Sequence, residues 1–334
     1  MIVRHFDLIG PFLRVEADDE RLIERFAGLL RGLAVEGSVD ADPAFTLRLW
    51  EGTPAAIPGT ATVVYEGKIA WEGDCLYADD GGDMHLLFPD HISLALYPER
   101  KTADMVVAPE SISRLSATAG MLAIDAAIDA SGQFLLHSAG LTLPGSDRQV
   151  LVFARSGTGK TTTSLALAEE GFGLCSDDSM VIRQDGSSVS GWGLPRDLKV
   201  HRKTAELLPW VTPYLKGVWN DEDERAVASA DLAGHIRVET IARRPVSGVF
   251  LLERGDVVRS RAEPISQTDT LVSLAADNVR TGKTGLLASH RRRFAGLAGL
   301  ASSVPTFKVT VGSEPRSTAE AIIGAMQRVQ QPVG

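Results

Sequence analysis

The sequence predicts an α/β protein with two parts: a domain with a mixed sheet and a phosphate-binding loop follows a smaller α+β domain with antiparallel strands. Two patterns predict this. Residues 149–170 pass from an apolar strand through a glycine-rich loop into a helix, whereas residues 44–97 form short alternating runs separated by turn residues. The 334 residues suffice for two domains of roughly 100 to 200 residues each. We expect an accessory domain over 1–110, a bridging helix over 111–132 and the loop-containing domain over 133–334.

Composition is that of an ordinary globular protein, with 44% hydrophobic and 23% charged residues. No apolar run approaches the roughly 20 residues that cross a bilayer, and residues 1–7 lack the features of a secretory signal. We therefore expect a cytoplasmic protein without a membrane partner. The net charge of −9 argues against a nucleic-acid partner. Cys75 and Cys175 lie far apart in apolar runs, which predicts buried packing residues rather than a disulfide.

The first part begins with an apolar strand over 6–15 and a helix over 18–33, whose first turn Asp18 or Asp19 can cap. The strands that follow are predicted over 45–50, 61–65, 69–71, 75–78, 84–88 and 92–97. Turn residues such as Pro-Gly and Asp-Asp-Gly-Gly separate them, which predicts an antiparallel meander. This part contains no catalytic constellation, so we expect an accessory or oligomerisation role.

The second part is predicted to alternate strands and helices around the loop. A helix over 113–130 leads into a strand over 134–143, and the strand before the loop covers 149–153. The later strands are predicted over 171–176, 180–183, 245–252 and 306–311, and the later helices over 266–278, 294–301 and 317–329. The stretch 191–220 is predicted to be irregular.

The loop between strand and helix has the composition of a phosphate-binding loop. Gly157 and Gly159 can adopt positive φ, so consecutive N–H groups can point at phosphate oxygens. Lys160 would reach the β- and γ-phosphates, and Thr161 is placed to ligate Mg²⁺. One position departs from the general pattern, which has glycine where this chain has Ala154. The alternative is a glycine-rich turn with a lysine in solvent. The residues expected to bind the nucleotide are Arg155, Ser156, Gly157, Thr158, Gly159, Lys160, Thr161 and Thr162.

Two carboxylates, Asp177 and Asp178, follow the next predicted strand. Nucleotides bind at this edge of such sheets. Phosphoryl transfer needs one carboxylate to take a proton and another to hold or orient Mg²⁺. The alternative is an Asp-Asp turn that caps a loop. Among cations, Arg155, Arg196 and Lys199 are candidates for charge stabilisation, and the run 291–293 is either a solvated helix face or a phosphate contact.

Three segments resemble the HPr kinase/phosphorylase family, whose catalytic fold is related to phosphoenolpyruvate carboxykinase. They are His137 on the strand before the loop, the loop sequence A-R-S-G-T-G-K-T, and Ser176-Asp177-Asp178. The resemblance implies ATP and Mg²⁺ as cofactors and a homo-oligomer. It also implies Asp177 as the general base or acid, Asp178 and Thr161 at the metal, and His137 against the carboxylates.

The sequence also departs from this family. Lys199 and His201 stand where the family has a metal-binding glutamate and an arginine, and residues 279–283 are a faint echo of its later segment. A divergent relative is therefore expected. The leading hypothesis is an ATP- and Mg²⁺-dependent kinase that phosphorylates a serine-type hydroxyl on a protein or peptide, one such class being ribosomally made precursor peptides. The alternatives are a nucleotide-binding regulatory protein without phosphotransfer and a kinase of a small hydroxy compound such as free serine.

Overall fold

A computed structural model describes residues 1–37, 39–69, 72–155, 157–279, 281–282, 285–286 and 288–330. It contains helices and large mixed sheets, which confirms a mixed α/β class. The chain divides into two compact units, the first made of Met1–Phe134 with Arg280–Arg291 and the second of Leu135–Val279 with Arg292–Gly334. Of the described helices, none combines the length and apolar character that a membrane crossing requires.

The first unit is built on a mixed sheet with the strand order β3-β1-β2-β4-β9-β8-β7-β6-β5. Its strands are β1 Ile2–Asp7, β2 Phe12–Ala17, β3 Ala34–Val35, β4 Phe45–Glu51, β5 Thr62–Ile69, β6 Gly73–Asp80, β7 Asp83–Phe88, β8 Ile92–Tyr97 and β9 Thr102–Val107. Helix α1 spans Glu20–Ala27, and helix α2 spans Thr118–Ala130. The predicted meander describes β5 to β8, which pair antiparallel in chain order, and β9, which was not predicted, continues it. It is wrong for β4, which pairs parallel with β2 and β9, because alternation within a strand does not encode the direction of its neighbours.

Several predicted boundaries in this unit shift where the backbone turns. The predicted strand over 6–15 is two strands, because the chain reverses at Ile9 and Gly10 with φ of 62° and 117°. Asp19 caps α1 by accepting a hydrogen bond from the N–H of Arg21 at 2.7 Å. The α-helix ends at Ala27 instead of residue 33. The predicted strands over 61–65 and 69–71 belong largely to one strand, β5, and residues 70 and 71 lie outside the described residues.

The second unit is also built on a mixed sheet, with the order β10-β14-β15-β18-β12-β11-β13 and with β22 joining β18 to β19. Its strands are β10 Phe134–His137, β11 Ala139–Thr142, β12 Gln149–Ala154, β13 Gly173–Ser176, β14 Ser179–Asp185, β15 Ser188–Gly193, β16 Leu198–His201, β17 Glu224–Val227, β18 Arg244–Arg254, β19 Arg261–Pro264 and β22 Thr306–Val311. The helices are α3 Lys160–Glu169, α4 Arg202–Leu207, α5 Gln267–Asn278 and α7 Pro315–Gln330. Between α5 and β22 lie the short strands β20 Thr281–Gly282 and β21 Gly285–Leu286 and the helix α6 Ala288–Ser303.

Strand direction decides where the functional groups meet. β12, β18 and β22 pair parallel, and β13 runs the same way because both β12 and β13 pair antiparallel with β11. The carboxyl ends of β12, β13, β18 and β22 therefore share one edge of the sheet. The single strand predicted over 134–143 is wrong, since the chain changes neighbours at Ser138: β10 pairs with β14, whereas β11 lies between β12 and β13.

The core of this unit explains why the loop is held in place. All six residues of β12 are buried, as is typical of a central parallel strand. α3 buries Leu165 and Leu167 against the sheet, and Phe250 stacks on Phe307 with ring centroids 5.3 Å apart. The loop therefore connects a strand and a helix that are both fixed by packing.

The remaining predictions concern the two cysteines, the stretch 191–220 and the basic run 291–293. Cys75 is buried, Cys175 is half-buried, and both are free thiols whose pKa burial raises, to about 11 and about 12. The stretch predicted to be irregular contains β16, α4 and a 3-10 turn over Pro209–Tyr214. In the basic run 291–293 the first two arginines are exposed, but Arg293 is buried, so the prediction of a solvated face fails for that residue.

Candidate phosphate-binding site

The phosphate loop, residues 155–159 between β12 and α3, has a backbone that requires glycine. Gly159 is the N-cap of α3 with φ 113°, and Gly157 has φ 75°. The N–H of Thr158 donates to the carbonyl of Arg155 at 3.0 Å and closes a turn with Gly157 at its third position. No heavy atom lies within 4 Å of the Cβ position at either glycine, so the constraint is conformational rather than steric. Ser156 lies outside the described residues.

The loop opens on a cleft of about 1020 Å³ at the shared edge of the sheet. The ends of β12, β13, β18 and β22 and the segment β16–α4 line it. This volume is at the upper end of the range for ligand pockets, which is roughly 300 to 1,000 Å³. Apart from Ser156, the residues predicted for the site all line this cleft: His137, Arg155, Gly157, Thr158, Gly159, Lys160, Thr161, Thr162, Asp177 and Asp178.

Lys160, His137 and Asp178 form a triangle of close polar contacts. The Lys160 Nζ donates to Asp178 Oδ1 at 2.9 Å and lies 3.0 Å from His137 Nε2, and His137 Nδ1 lies 3.2 Å from the same carboxylate oxygen. Burial and the charge of Lys160 lower the pKa of His137, which favours the neutral ring. A neutral ring with an unprotonated Nε2 can accept a hydrogen bond from Lys160, whereas Nδ1 and Asp178 only lie close to each other.

Asp178 is held as an anion. Burial alone would raise its pKa, but the charges of Lys160 and His137, the hydrogen bond from Lys160 and the charge of Arg196 lower the pKa to about 2. Arg196 lies 3.6 Å from Asp178 Oδ2, and the hydroxyl of Ser179 donates to the same oxygen at 3.3 Å. Asp178 therefore stays ionised at neutral pH.

Asp177 has the opposite environment. Its residue surface is only 4% exposed, and burial together with the neighbouring charge of Asp178 raises its pKa to about 7. The hydroxyl of Thr161 donates to Asp177 Oδ2 at 3.2 Å. Two adjacent carboxylates thus differ by several pKa units, a separation that is typical of sites where one carboxylate exchanges protons and the other does not.

The donor groups at the start of α3 fit a magnesium ion that is shared with phosphates. The Thr161 hydroxyl and the two aspartates lie at the same end of the cleft. Within the described part of the chain, no group of three or more His, Cys, Asp or Glu side chains could hold a metal by itself. A hydroxyl and one or two carboxylates are donors of the kind that Mg²⁺ uses together with waters and substrate phosphates.

Another part of the cleft lining is the antiparallel pair β16 and β17, together with α4, which follows β16 in the chain. Glu224 on β17 lies 3.6 Å from the Lys199 Nζ and 3.1 Å from His201 Nε2 on β16. The hydroxyls of Thr162 and Thr204 are 2.8 Å apart, which connects the first turn of α3 to α4. Lys199 and His201, the two residues that differ from the family pattern, therefore both lie next to the carboxylate of Glu224 on the paired strand.

Sequence reasoning missed Arg254 and Glu224. Arg254 ends β18 and donates from its guanidinium to the carbonyl of Gly157 at 2.8 Å. Ala154 pairs with Leu252 across the parallel β12–β18 ladder, which is why the residue two positions later reaches the loop. The predicted strand over 245–252 stopped short of Arg254. A cation two residues beyond a buried strand was the available signal, but the adjacency of β18 to β12 cannot be read from local patterns.

Sequence comparison assigns this chain to no known family. No protein-family model matches the chain, and no curated protein matches it. Among solved structures it is similar to the Hpr(Ser) kinase/phosphatase from Coxiella burnetii, with 13% identity and a TM-score of 0.30 over 59% of this chain and 99% of that one. At this TM-score and identity the similarity carries no argument about the activity of this chain.

We expect Asp177→Asn to change stability in a pH-dependent way. The pKa of Asp177 is about 7 in the folded protein against 3.8 ordinarily. Its contribution to folding is therefore complete below pH 3.8 and is lost as the pH rises through 7. Asparagine does not ionise, so the free energy of unfolding of the variant relative to wild type should be higher at pH 8 than at pH 5 by up to about 3 kcal/mol.

Urea unfolding followed by circular dichroism at the two pH values measures this difference. Asp185→Asn, at a side chain 58% exposed on the β14 end, is the matched control and should show little change with pH. A stability difference for Asp177→Asn that is the same at pH 5 and pH 8 would contradict the raised pKa.

Proposed function

We propose that this protein is an ATP- and Mg²⁺-dependent kinase that transfers the γ-phosphate to a serine-type hydroxyl on a protein or peptide. The observation that carries the proposal is the meeting of a phosphate loop with Asp177 and Asp178, of separated pKa, in one cleft. A phosphate loop alone is common to many nucleotide-binding proteins. The adjacent proton acceptor and permanent anion favour phosphoryl transfer.

In this proposal the loop amides and Lys160 bind the phosphates of ATP. The N-terminal end of α3 adds its partial positive charge, since its first N–H groups have no partner within the helix. Thr161 and Asp178 would hold Mg²⁺, which would neutralise charge on the β- and γ-phosphates when bound. Lys160 already lies in the cleft through its contacts with Asp178 and His137.

Asp177 is proposed as the general base. It accepts the proton of the acceptor hydroxyl while the hydroxyl oxygen forms a bond to the γ-phosphorus, and the bond from that phosphorus to the β–γ bridging oxygen breaks as ADP leaves. A base with a pKa near 7 balances ionisation against proton affinity at neutral pH. Asp178, with a pKa of about 2, is a poor base and a steady anion, which suits the metal.

The cleft is large enough to hold a second substrate beside the nucleotide. Beyond the loop, the cleft continues along β16 and α4 and along the segment 254–257 after β18. Arg196, which lies against Asp178, and Arg254, which donates to Gly157 of the loop, are proposed to stabilise charge on the transferred phosphate. A peptide with an exposed serine is the proposed acceptor.

We expect purified protein with MgATP to transfer labelled γ-phosphate to at least one member of a panel of seryl peptides. Lys160→Ala should lower the rate by on the order of 10²-fold or more, because a positioned cation is lost from the phosphates. Lys308→Ala, at an exposed lysine on β22, is the matched control and should leave the rate unchanged.

Two outcomes of that assay contradict the proposal. Nucleotide binding without label transfer to any acceptor would favour a regulatory nucleotide-binding protein. Transfer to free serine in preference to every peptide would favour a small-molecule kinase.

We expect Asp177→Asn and Asp178→Asn to fail in different steps. Loss of the base should lower kcat by about 10²- to 10⁴-fold with little change in the Kd for MgATP. Loss of the anion should raise the Mg²⁺ concentration needed for half-maximal activity. Magnesium titrations of both variants at saturating ATP separate these effects. If Asp177→Asn instead shifts the Mg²⁺ requirement and Asp178→Asn does not, the two roles are exchanged.

We expect Arg254→Gln to weaken nucleotide binding. A hydrogen bond from a charged donor is worth roughly 1.5 to 3 kcal/mol, so losing the Gly157 contact should raise the Kd for MgATP about tenfold or more. Isothermal titration measures the affinity directly and does not depend on phosphotransfer. Arg261→Gln, at an exposed arginine on β19, provides the control. Equal affinities for the two variants would show that Arg254 does not position the loop.

A further inference from the structure

We propose that the β5 edge of the first unit is a dimer interface, at which β5 of one copy pairs antiparallel with β5 of a second copy of this chain. The inference concerns a surface in the first unit and does not depend on the proposed kinase activity. It rests on the exposure of β5, on the symmetry of a two-copy sheet and on the order of charges along the strand.

β5 is the last strand of its sheet. In the part of the chain that the structure describes, it pairs with β6 on one side and with no strand on the other. It is eight residues long, contains no proline, and exposes Val63 and Tyr65 to 42% and 44%. Natural sheets usually protect such an edge with charged side chains, proline, bulges or a covering element, because its unpaired N–H and C=O groups can pair with another strand. β5 has a register shift between Val63 and Tyr65 and carries Lys68, so the regularly paired stretch 65–69 is the part of the edge considered for pairing.

Symmetry limits how two β5 strands can pair. A two-fold axis that joins two copies edge to edge in antiparallel fashion runs perpendicular to the sheet, so each side chain of the second copy appears on the same face as in the first. Residues opposite each other also share a face. The axis must therefore lie midway between one residue of β5 and the same residue of the second copy, and each register is named by that residue. The regular pairing of Tyr65–Ile69 with β6 shows that alternation is intact over this part of the strand.

The charges select one of these registers. In the Glu66 register or the Lys68 register, that residue faces its own copy, so like charges lie directly opposite each other. In the Gly67 register, Glu66 of each copy faces Lys68 of the other, which gives two pairs of opposite charges. In the Tyr65 register, each of these charged residues faces an uncharged residue. The Gly67 register is therefore the complementary one.

The opposite face of the strand fits the same register. With the axis at Gly67, Tyr65 of each copy lies opposite Ile69 of the other, so an apolar pair forms on each side of the axis. A Cβ at Gly67 would lie 2.8 Å from the Tyr65 hydroxyl oxygen, so the tyrosine ring already covers this glycine along the strand. The Tyr65 hydroxyl donates to the carbonyl of Lys68 at 3.3 Å, which holds the ring there. The centre of this face is thus covered by the Tyr65 ring and its hydroxyl.

The contacts of Lys68 within its own copy leave it available. Its Nζ lies 3.9 Å from Asp74 on β6, and the two side chains are 81% and 72% exposed. Exposed pairs of this kind contribute little to stability. Lys68 can therefore face Glu66 of the second copy without a significant loss.

Sedimentation of the full-length chain over a range of concentrations tests the proposal. Wild-type protein should dimerise, and the single charge reversals Glu66→Lys and Lys68→Glu should each raise the dimer Kd about tenfold or more, because each places like charges opposite each other twice. The double variant, with both reversals, restores opposite charges in the same register and should recover dimerisation to near the wild-type value.

Glu36→Lys is the matched control, with the same charge change at an exposed residue after β3, the strand at the other edge of this sheet. It should leave the dimer Kd unchanged. Circular dichroism of each variant confirms that it is folded. A monomeric wild type at all concentrations overturns the proposal. So does a double variant that stays as weak as the single reversals, because a different register or surface would then hold the dimer.

Discussion

Two adjacent carboxylates at one sheet edge cannot both ionise without a large electrostatic cost, and the site of this protein is arranged around that constraint. Asp178 keeps its charge because the cations Lys160 and Arg196 lie against it. Asp177, buried beside that charge, retains its proton up to about neutral pH. This division follows from the neighbouring side chains, since two cations contact Asp178 whereas the hydroxyl of Thr161 contacts Asp177.

The division of charge depends on strand direction. Asp177 and Asp178 follow β13, the phosphate loop follows β12 and Arg254 ends β18, and these strands run the same way. Groups separated by about a hundred residues therefore meet at one edge, and packing of buried strands fixes their positions. The loop itself contributes backbone conformation more than side chains, because its two glycines adopt positive φ in open space.

Much of the site could be predicted because its chemistry is local in the sequence. A strand, Gly157, Gly159 and Lys160 occur within a dozen residues, and their spacing alone indicates phosphate binding. The break at Ser138 could not be predicted, because both halves of 134–143 are apolar and differ only in which strands they join. Arg254 was missed for the same reason: its role depends on which strand lies beside β12. Parallel pairing in the first unit is likewise a property of topology rather than of alternation.

The triangle of Lys160, His137 and Asp178 has a consequence for selectivity. The lysine of the loop is not a free cation in water, since a carboxylate inside the protein already occupies it. An anion that binds Lys160 competes with the Asp178 carboxylate for the ammonium group. It must therefore interact with the loop at least as strongly as that carboxylate does. A singly charged or weakly held anion is at a disadvantage in that exchange, whereas a polyphosphate can engage the loop and the helix end together. The contacts of Lys160 within the protein thus enter the binding energy of any anion at the loop.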